Sequence, residues 1–276
     1  LIQRPDRLIP KDEPEASAVV RQRLEAEGVT VLTSADVRGV ALRAGQKVLD
    51  VQTAQGRVEV AADEILVATG RAPNVERLGL EAAGVAYDPR AGIAVDRHLR
   101  TSNPRVYAAG DVTGGYRFTH AAAKQARVAV QNVLLPISPS NDERVMPWAT
   151  FTEPEVAHVG LTEAQARAKQ PNGLTVVTLP MTAVDRAVTD DETAGFVKLV
   201  ATPKGKLLGA TIVGPHAGDL INELAVAMQR GISLGQLAAT THVYPTIGLA
   251  IQQAAGTFSQ RKAAQSGLVK LLRRFA

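Results

Sequence analysis

The first 32 residues constrain the fold most. Leu1-Ile2-Gln3 reads as the end of a buried strand, residues 13–27 as a helix, and Val29-Thr30-Val31-Leu32 as a second strand. The helix has Pro14 near its start, Val19, Val20 and Leu24 on one face, and Gly28 as its stop signal. Strand, helix, strand in that order predicts parallel pairing and an α/β domain.

The pattern then changes. Leu42–Val48 and Val51–Val58 read as strands joined by Gly-containing turns, which predicts a small antiparallel meander. Glu64–Ala68 reads as a further buried strand, running into the turn-rich Thr69-Gly70-Arg71-Ala72-Pro73-Asn74. Arg105–Ala109 reads as a strand that ends at Gly110-Asp111. Thr119 then caps a helix from His120 to Leu135. Residues 136–142, rich in Pro, Ser and Asn, form the best linker. Beyond them lies a separate α+β unit. Thr162-Glu163-Ala164-Gln165 is a capping box, and strands are expected at 174–179, 195–201 and 207–213. The last two should be antiparallel neighbours across the Pro203-Lys204-Gly205 turn, and helices should follow at 219–230, 233–239 and 247–262.

Composition excludes several functions. The 276 residues are 45% hydrophobic, enough for a packed core. The net charge of +4 comes with only 4% aromatics, which argues against a nucleic-acid partner. No apolar run is long enough to span a bilayer. There is no cysteine, so no disulfide, thiolate metal site or cysteine nucleophile can form within these residues. The basic end, Gly267–Ala276, reads as a last helix rather than a membrane-contacting one.

The strongest chemical signal is Arg105-Val106-Tyr107-Ala108-Ala109-Gly110-Asp111-Val112. Small residues let a ligand approach the backbone, and an Asp at a strand's carboxyl end can accept hydrogen bonds from a polyol such as a ribityl chain. The competing reading is a strand followed by an Asx-turn.

Other segments add to it. Ile65–Asn74 precedes it, and Phe151-Thr152-Glu153-Pro154-Glu155-Val156-Ala157 with Val159-Gly160-Leu161-Thr162-Glu163 follows. Asp190–Leu199, Gly209–Pro215 and His242-Val243-Tyr244-Pro245-Thr246 come later. In this order they resemble the class I pyridine nucleotide–disulfide oxidoreductases, which include dihydrolipoamide dehydrogenase, glutathione reductase and mercuric reductase. The resemblance implies three parts: the C-terminal half of a Rossmann-like NAD(P)-binding domain (1–68), the C-terminal part of an FAD-binding domain (69–140), and an α+β dimerisation domain (141–276). It implies FAD with NADPH or NADH as cofactors, a cytoplasmic homodimer formed through 141–276, and a small-molecule or ion electron acceptor.

The resemblance also implies roles. Gly70, Gly110 and Asp111 would face FAD, with Asp111 at the ribityl or pyrophosphate region. Thr119, His120 and Ala121 would start a helix aimed at the flavin's pyrimidine edge, where free N–H groups and the positive dipole end favour negative charge. Gln3 stands where dinucleotide folds often carry an acidic residue for the ribose 2′-hydroxyl. Being neutral, with Arg4 and Arg7 after it, it tilts the expectation towards a 2′-phosphate and NADPH.

Two departures follow. The family's glycine-rich phosphate loops and redox cysteine pair are not in this chain, which opens without a Met. The chain therefore reads as the C-terminal piece of a longer enzyme, inactive by itself. In addition, Tyr244 stands where the family's acid–base His would be, and Leu249 where its Glu would be. Tyrosine, with an ordinary pKa of about 10, is a poor base at neutral pH. His242 is either a substitute or a structural residue. These departures leave a mercuric reductase-like enzyme with a disulfide, metal-ion or quinone-like acceptor. The alternatives are a flavin-only quinone or dye reductase and a non-catalytic dimerisation module.

Overall fold

The computed structural model describes residues 1–170 and 173–265, so the basic C-terminal stretch lies outside the described residues. The chain divides into two compact units. One comprises residues 1–65 with those from 147 on, and the other comprises 66–146.

The first unit begins with α1 (Pro14–Ala26), with Pro at its first turn and Ala16, Ser17 and Val20 buried. Gly28, at a φ of +88°, ends it, and its amide reaches back to Glu25 O at 3.0 Å. The segments before and after α1 run parallel, as expected, but only as one bridge, Ile2 to Leu32, rather than as two strands. Pro5 has no N–H to continue such a ladder.

The meander follows: β1 (Asp36–Arg43), β2 (Gln46–Thr53) and β3 (Gly56–Ala62), antiparallel in that order. The expected strands 42–48 and 51–58 straddle its real turns. Ala44 and Gly45 both take positive φ, +49° and +85°, and close a two-residue hairpin. One face of the sheet carries Leu49 and Val51 into a small core with Ala35. The other carries cross-strand pairs, Arg57 to Asp50 at 2.6 Å and Arg43 to Glu59 at 2.8 Å.

The expected buried strand at Glu64–Ala68 does not form. No strand among the described residues pairs with it, and Leu66 and Val67 are 92% and 75% exposed. Apolar character alone cannot bury a strand that lacks a neighbour.

The second unit has a short hairpin, β4 (Tyr87–Asp88) with β5 (Gly92–Ile93), and one long helix, α2 (Thr119–Leu134). Its core is Val75, Leu80, Val85, Ile93 and Ala108. The expected strand at 105–109 is reduced to a bridge between Tyr107 and Arg100. Thr119 is not the cap of α2. Phe118 holds that position in an extended conformation, without a side-chain cap, and Thr119 is already helical. Residues 136–142 have no regular structure, yet Pro139 O accepts from Asn132 Nδ2 at 2.9 Å, and Asn141 N–H donates to Arg97 O at 2.8 Å.

The first unit resumes with β6 (Pro147–Thr150), β7 (Glu155–Gly160), α3 (Glu163–Lys169), β8 (Thr175–Pro180), α4 (Asp185–Thr189), β9 (Phe196–Ala201) and β10 (Leu207–Gly214). Then come α5 (Ala217–Arg230), α6 (Leu234–Ala239) and α7 (Leu249–Gln265). The five strands form one antiparallel sheet, ordered β6-β7-β10-β9-β8. The Thr162 capping box is present, with Gln165 N–H on Thr162 Oγ1 at 3.3 Å and Thr162 N–H on Gln165 Oε1 at 3.1 Å. We expect Thr162→Ala to cost about 1 kcal/mol in thermal unfolding.

This sheet carries α1. Ala16 and Val20 pack with Val156, Phe196 and Val213. Beside them, buried Lys198 of β9 binds Glu15 Oε1 and Glu163 Oε2 at 2.8 Å and Glu13 Oε2 at 3.2 Å. Burial opposes its charge, but the three carboxylates outweigh that and raise its pKa. Trp148 Nε1 donates to Asp12 Oδ1 at 2.8 Å, and its ring lies 4.5 Å from that of His158. Burial lowers the His158 pKa to about 4, so it sits neutral against Thr211 Oγ1 at 2.8 Å.

Candidate functional site

The site in the second unit is built around Gly110. Its φ of +81° and ψ of −155° suit glycine alone, and an added Cβ would lie 3.1 Å from Ala122 Cβ of α2. Its N–H donates to Gln125 Oε1 at 2.6 Å, and Gln125, only 2% exposed, passes its own Nε2 to Glu143 at 2.9 Å. The backbone before Asp111 is thereby fastened to α2. Asp111 opens a 3-10 turn closed by Gly114 N–H on its carbonyl at 3.1 Å, and Thr113 Oγ1 donates to Gly110 O at 2.9 Å.

The Asp111 carboxylate is partly exposed, and its Oδ2 lies 2.9 Å from Arg71 Nη2. Arg117 donates in turn to the Arg71 carbonyl. Arg71 therefore brings the Thr69–Asn74 turn to Asp111. Gly70 does not: at a φ of +118° it is exposed, with nothing within 4 Å of an added Cβ. At the start of α2, Thr119 and His120 are exposed and Ala121 is fully buried. The His120 ring stacks on Phe118 at 5.3 Å.

In the first unit, the Gln3 backbone is engaged by Leu32 O at 2.8 Å and Ala35 N at 3.1 Å. Arg4 rests on Asp36 at 3.1 Å, while Arg7 folds onto Pro10 O at 2.8 Å. Arg4 and Arg7 are thus held by different partners.

Elsewhere in that unit, Tyr244 is 65% exposed and donates its hydroxyl to Asp185 Oδ2 at 3.0 Å. That bond, the carboxylate's charge and desolvation raise the phenol pKa, so it stays protonated at neutral pH. His242 faces two acceptors, Glu223 Oε1 at 2.9 Å from Nε2 and Thr240 O at 3.0 Å from Nδ1. Neither ring nitrogen is open to a substrate in this arrangement. Leu249 begins α7. Among the described residues there is no cluster of three or more His, Asp or Glu able to hold a metal ion, and no helix is long and apolar enough to cross a membrane.

Residues 1–126 match the family model described as pyridine nucleotide-disulphide oxidoreductase, and residues 146–255 match that family's dimerisation domain. The chain belongs to the pyridine nucleotide-disulphide oxidoreductases. It is 38% identical to a mercuric reductase of Bacillus cereus over 94% of its own length and 41% of that protein. It is 36% identical to a dihydrolipoyl dehydrogenase of Mycobacterium bovis over 90% of its length and 53% of that protein. Among solved structures, LpdA from Mycobacterium tuberculosis superposes with a TM-score of 0.83 at 30% identity, covering 93% of this chain and 55% of that one. The HOCl-induced flavoprotein disulfide reductase RclA from Escherichia coli gives 0.83 at 26% identity, covering 92% and 58%. The chain thus spans about half the length of the curated relatives it matches.

Members of this family use FAD and NAD(P)H. The residues present here fit a flavin dinucleotide: a backbone without side chain at Gly110, a carboxylate partly open to solvent, and a 16-residue helix whose start carries no side-chain cap. Sequence reasoning missed Arg71 and Gln125 as partners of this site, and Glu223 and Asp185 as partners of His242 and Tyr244. Arg71 sits inside a segment already singled out. The others carry no local signal.

Proposed function

We propose that this chain supplies the C-terminal part of an FAD-dependent NAD(P)H oxidoreductase, working as a cytoplasmic homodimer through residues 141–276. Domain limits of 1–68, 69–140 and 141–276 belong to the same proposal. Bound FAD would relay electrons from NAD(P)H through a cysteine pair outside this chain to a disulfide, metal-ion or quinone-like acceptor. The observation that carries this reading is the Gly110–Asp111 turn held beside the uncapped start of α2. Asp111 would accept from the cofactor's polyol. Thr119, His120 and Ala121 would place the positive end of α2 against its most electron-rich edge.

Tyr244 would present a protonated hydroxyl, fixed by Asp185, to the acceptor. His242 would position the segment carrying it, with Glu223 as its anchor. A phenol hydroxyl in place of a titrating imidazole favours an acceptor that needs a ligand or a proton donor over one that needs thiol deprotonation. The mercuric reductase-like metal ion is such an acceptor.

Flavin content and mass in solution test this. The native polypeptide that carries the chain should release one FAD per subunit on denaturation and run as a dimer in light-scattering chromatography. A flavin-free dimer that cannot be loaded with FAD would favour the dimerisation-module reading instead.

A further inference from the structure

We infer that Arg71 is a positioning residue for Asp111, holding its carboxylate so that one oxygen is left for a hydroxyl of the bound cofactor. This rests on the functional reading above and deepens it. Arg71 Nη2 takes Oδ2 of Asp111 at 2.9 Å. Among the described residues Oδ1 takes part in no ion pair or hydrogen bond, and the Asp111 side chain is 35% exposed. A carboxylate has about four acceptor sites, so holding one oxygen does not exhaust it. A planar guanidinium fixes the carboxylate's rotation better than a lysine point charge does.

Three segments converge on this arrangement. Arg71 reaches Asp111 from the turn that follows Gly70, itself at a φ of +118°. Arg117, just before α2, then grips the Arg71 carbonyl. The backbone on the other side of Asp111 is fastened by Gln125 to Gly110 N–H at 2.6 Å. The ion pair contributes little to folding, since Arg71 is 71% exposed and such surface pairs are worth about 0–1 kcal/mol. What it does supply is a carboxylate set in one rotamer before the ligand arrives, which lowers the ordering cost of binding.

The test is a double-mutant cycle read by FAD affinity, using flavin-stripped native polypeptide and fluorescence quenching. Arg71→Met should weaken FAD binding about tenfold, and Arg71→Lys should recover only part of that. The melting temperature of the apoprotein should barely move. If Arg71 acts through Asp111, Arg71→Met should add no further loss in an Asp111→Asn background. Multiplicative losses would overturn the inference, because Arg71 would then touch the cofactor directly. Wild-type affinity in Arg71→Met would overturn it too. A wild-type protein that takes up no FAD would instead overturn the functional reading, and the inference with it.

Discussion

Lys198→Met should lower stability by about 3–5 kcal/mol in denaturant unfolding. The ammonium is 3% exposed and pairs with Glu13, itself 2% exposed, so its loss leaves a buried carboxylate without its counter-charge. Glu13 also accepts the Glu163 N–H at 2.6 Å, so the start of α3 is disturbed as well. Replacing both buried partners, as in Lys198→Met with Glu13→Leu, should recover much of the loss, because no orphan charge remains. Glu15→Ala should cost under about 1 kcal/mol, since Glu15 is 57% exposed.

The same cluster sets an acid limit. The hydrogen bond from Lys198 is the largest cause of the lowered Glu163 pKa. A depressed carboxylate contributes stability above its unfolded value, and that contribution is lost as pH falls through the folded one. Lys198→Met should therefore flatten the acid limb of the stability profile. An unchanged limb would show that Glu163 is held by Arg167 alone.

Asp111→Asn should weaken FAD binding about ten- to a hundredfold, the worth of about 1.5–3 kcal/mol for a hydrogen bond to a charged group. Asparagine keeps the shape and the 3-10 turn, whose hydrogen bonds use the backbone and Thr113. The fold should therefore be preserved, and the loss should appear in the flavin dissociation constant. Wild-type affinity in Asp111→Asn would mean that the carboxylate does not hold the cofactor and serves only its ion pair with Arg71.

What could be read from the sequence follows the range of the interactions. The Thr162 capping box, the Gly28 stop and the β9–β10 hairpin are local, and each is seen where expected. The meander was legible, but its register was not, because it depends on Ala44 adopting positive φ, which alanine does not announce. β7 escaped because its inward run includes His158, whose burial requires Thr211 on a strand 53 residues away. Lys198 and Glu13 lie 185 positions apart, beyond any periodicity argument. Within the site, Gly110 and Asp111 stood out as a small residue and a carboxylate at a strand end. Arg71 could be linked to them only once the chain had folded.

The most direct test of the central claim is an anaerobic visible titration of the native polypeptide with NADPH and, separately, NADH. The expected result is an oxidised flavin spectrum that bleaches with about one equivalent of reduced nicotinamide per flavin. A protein that holds FAD but is reduced by neither nucleotide would contradict it.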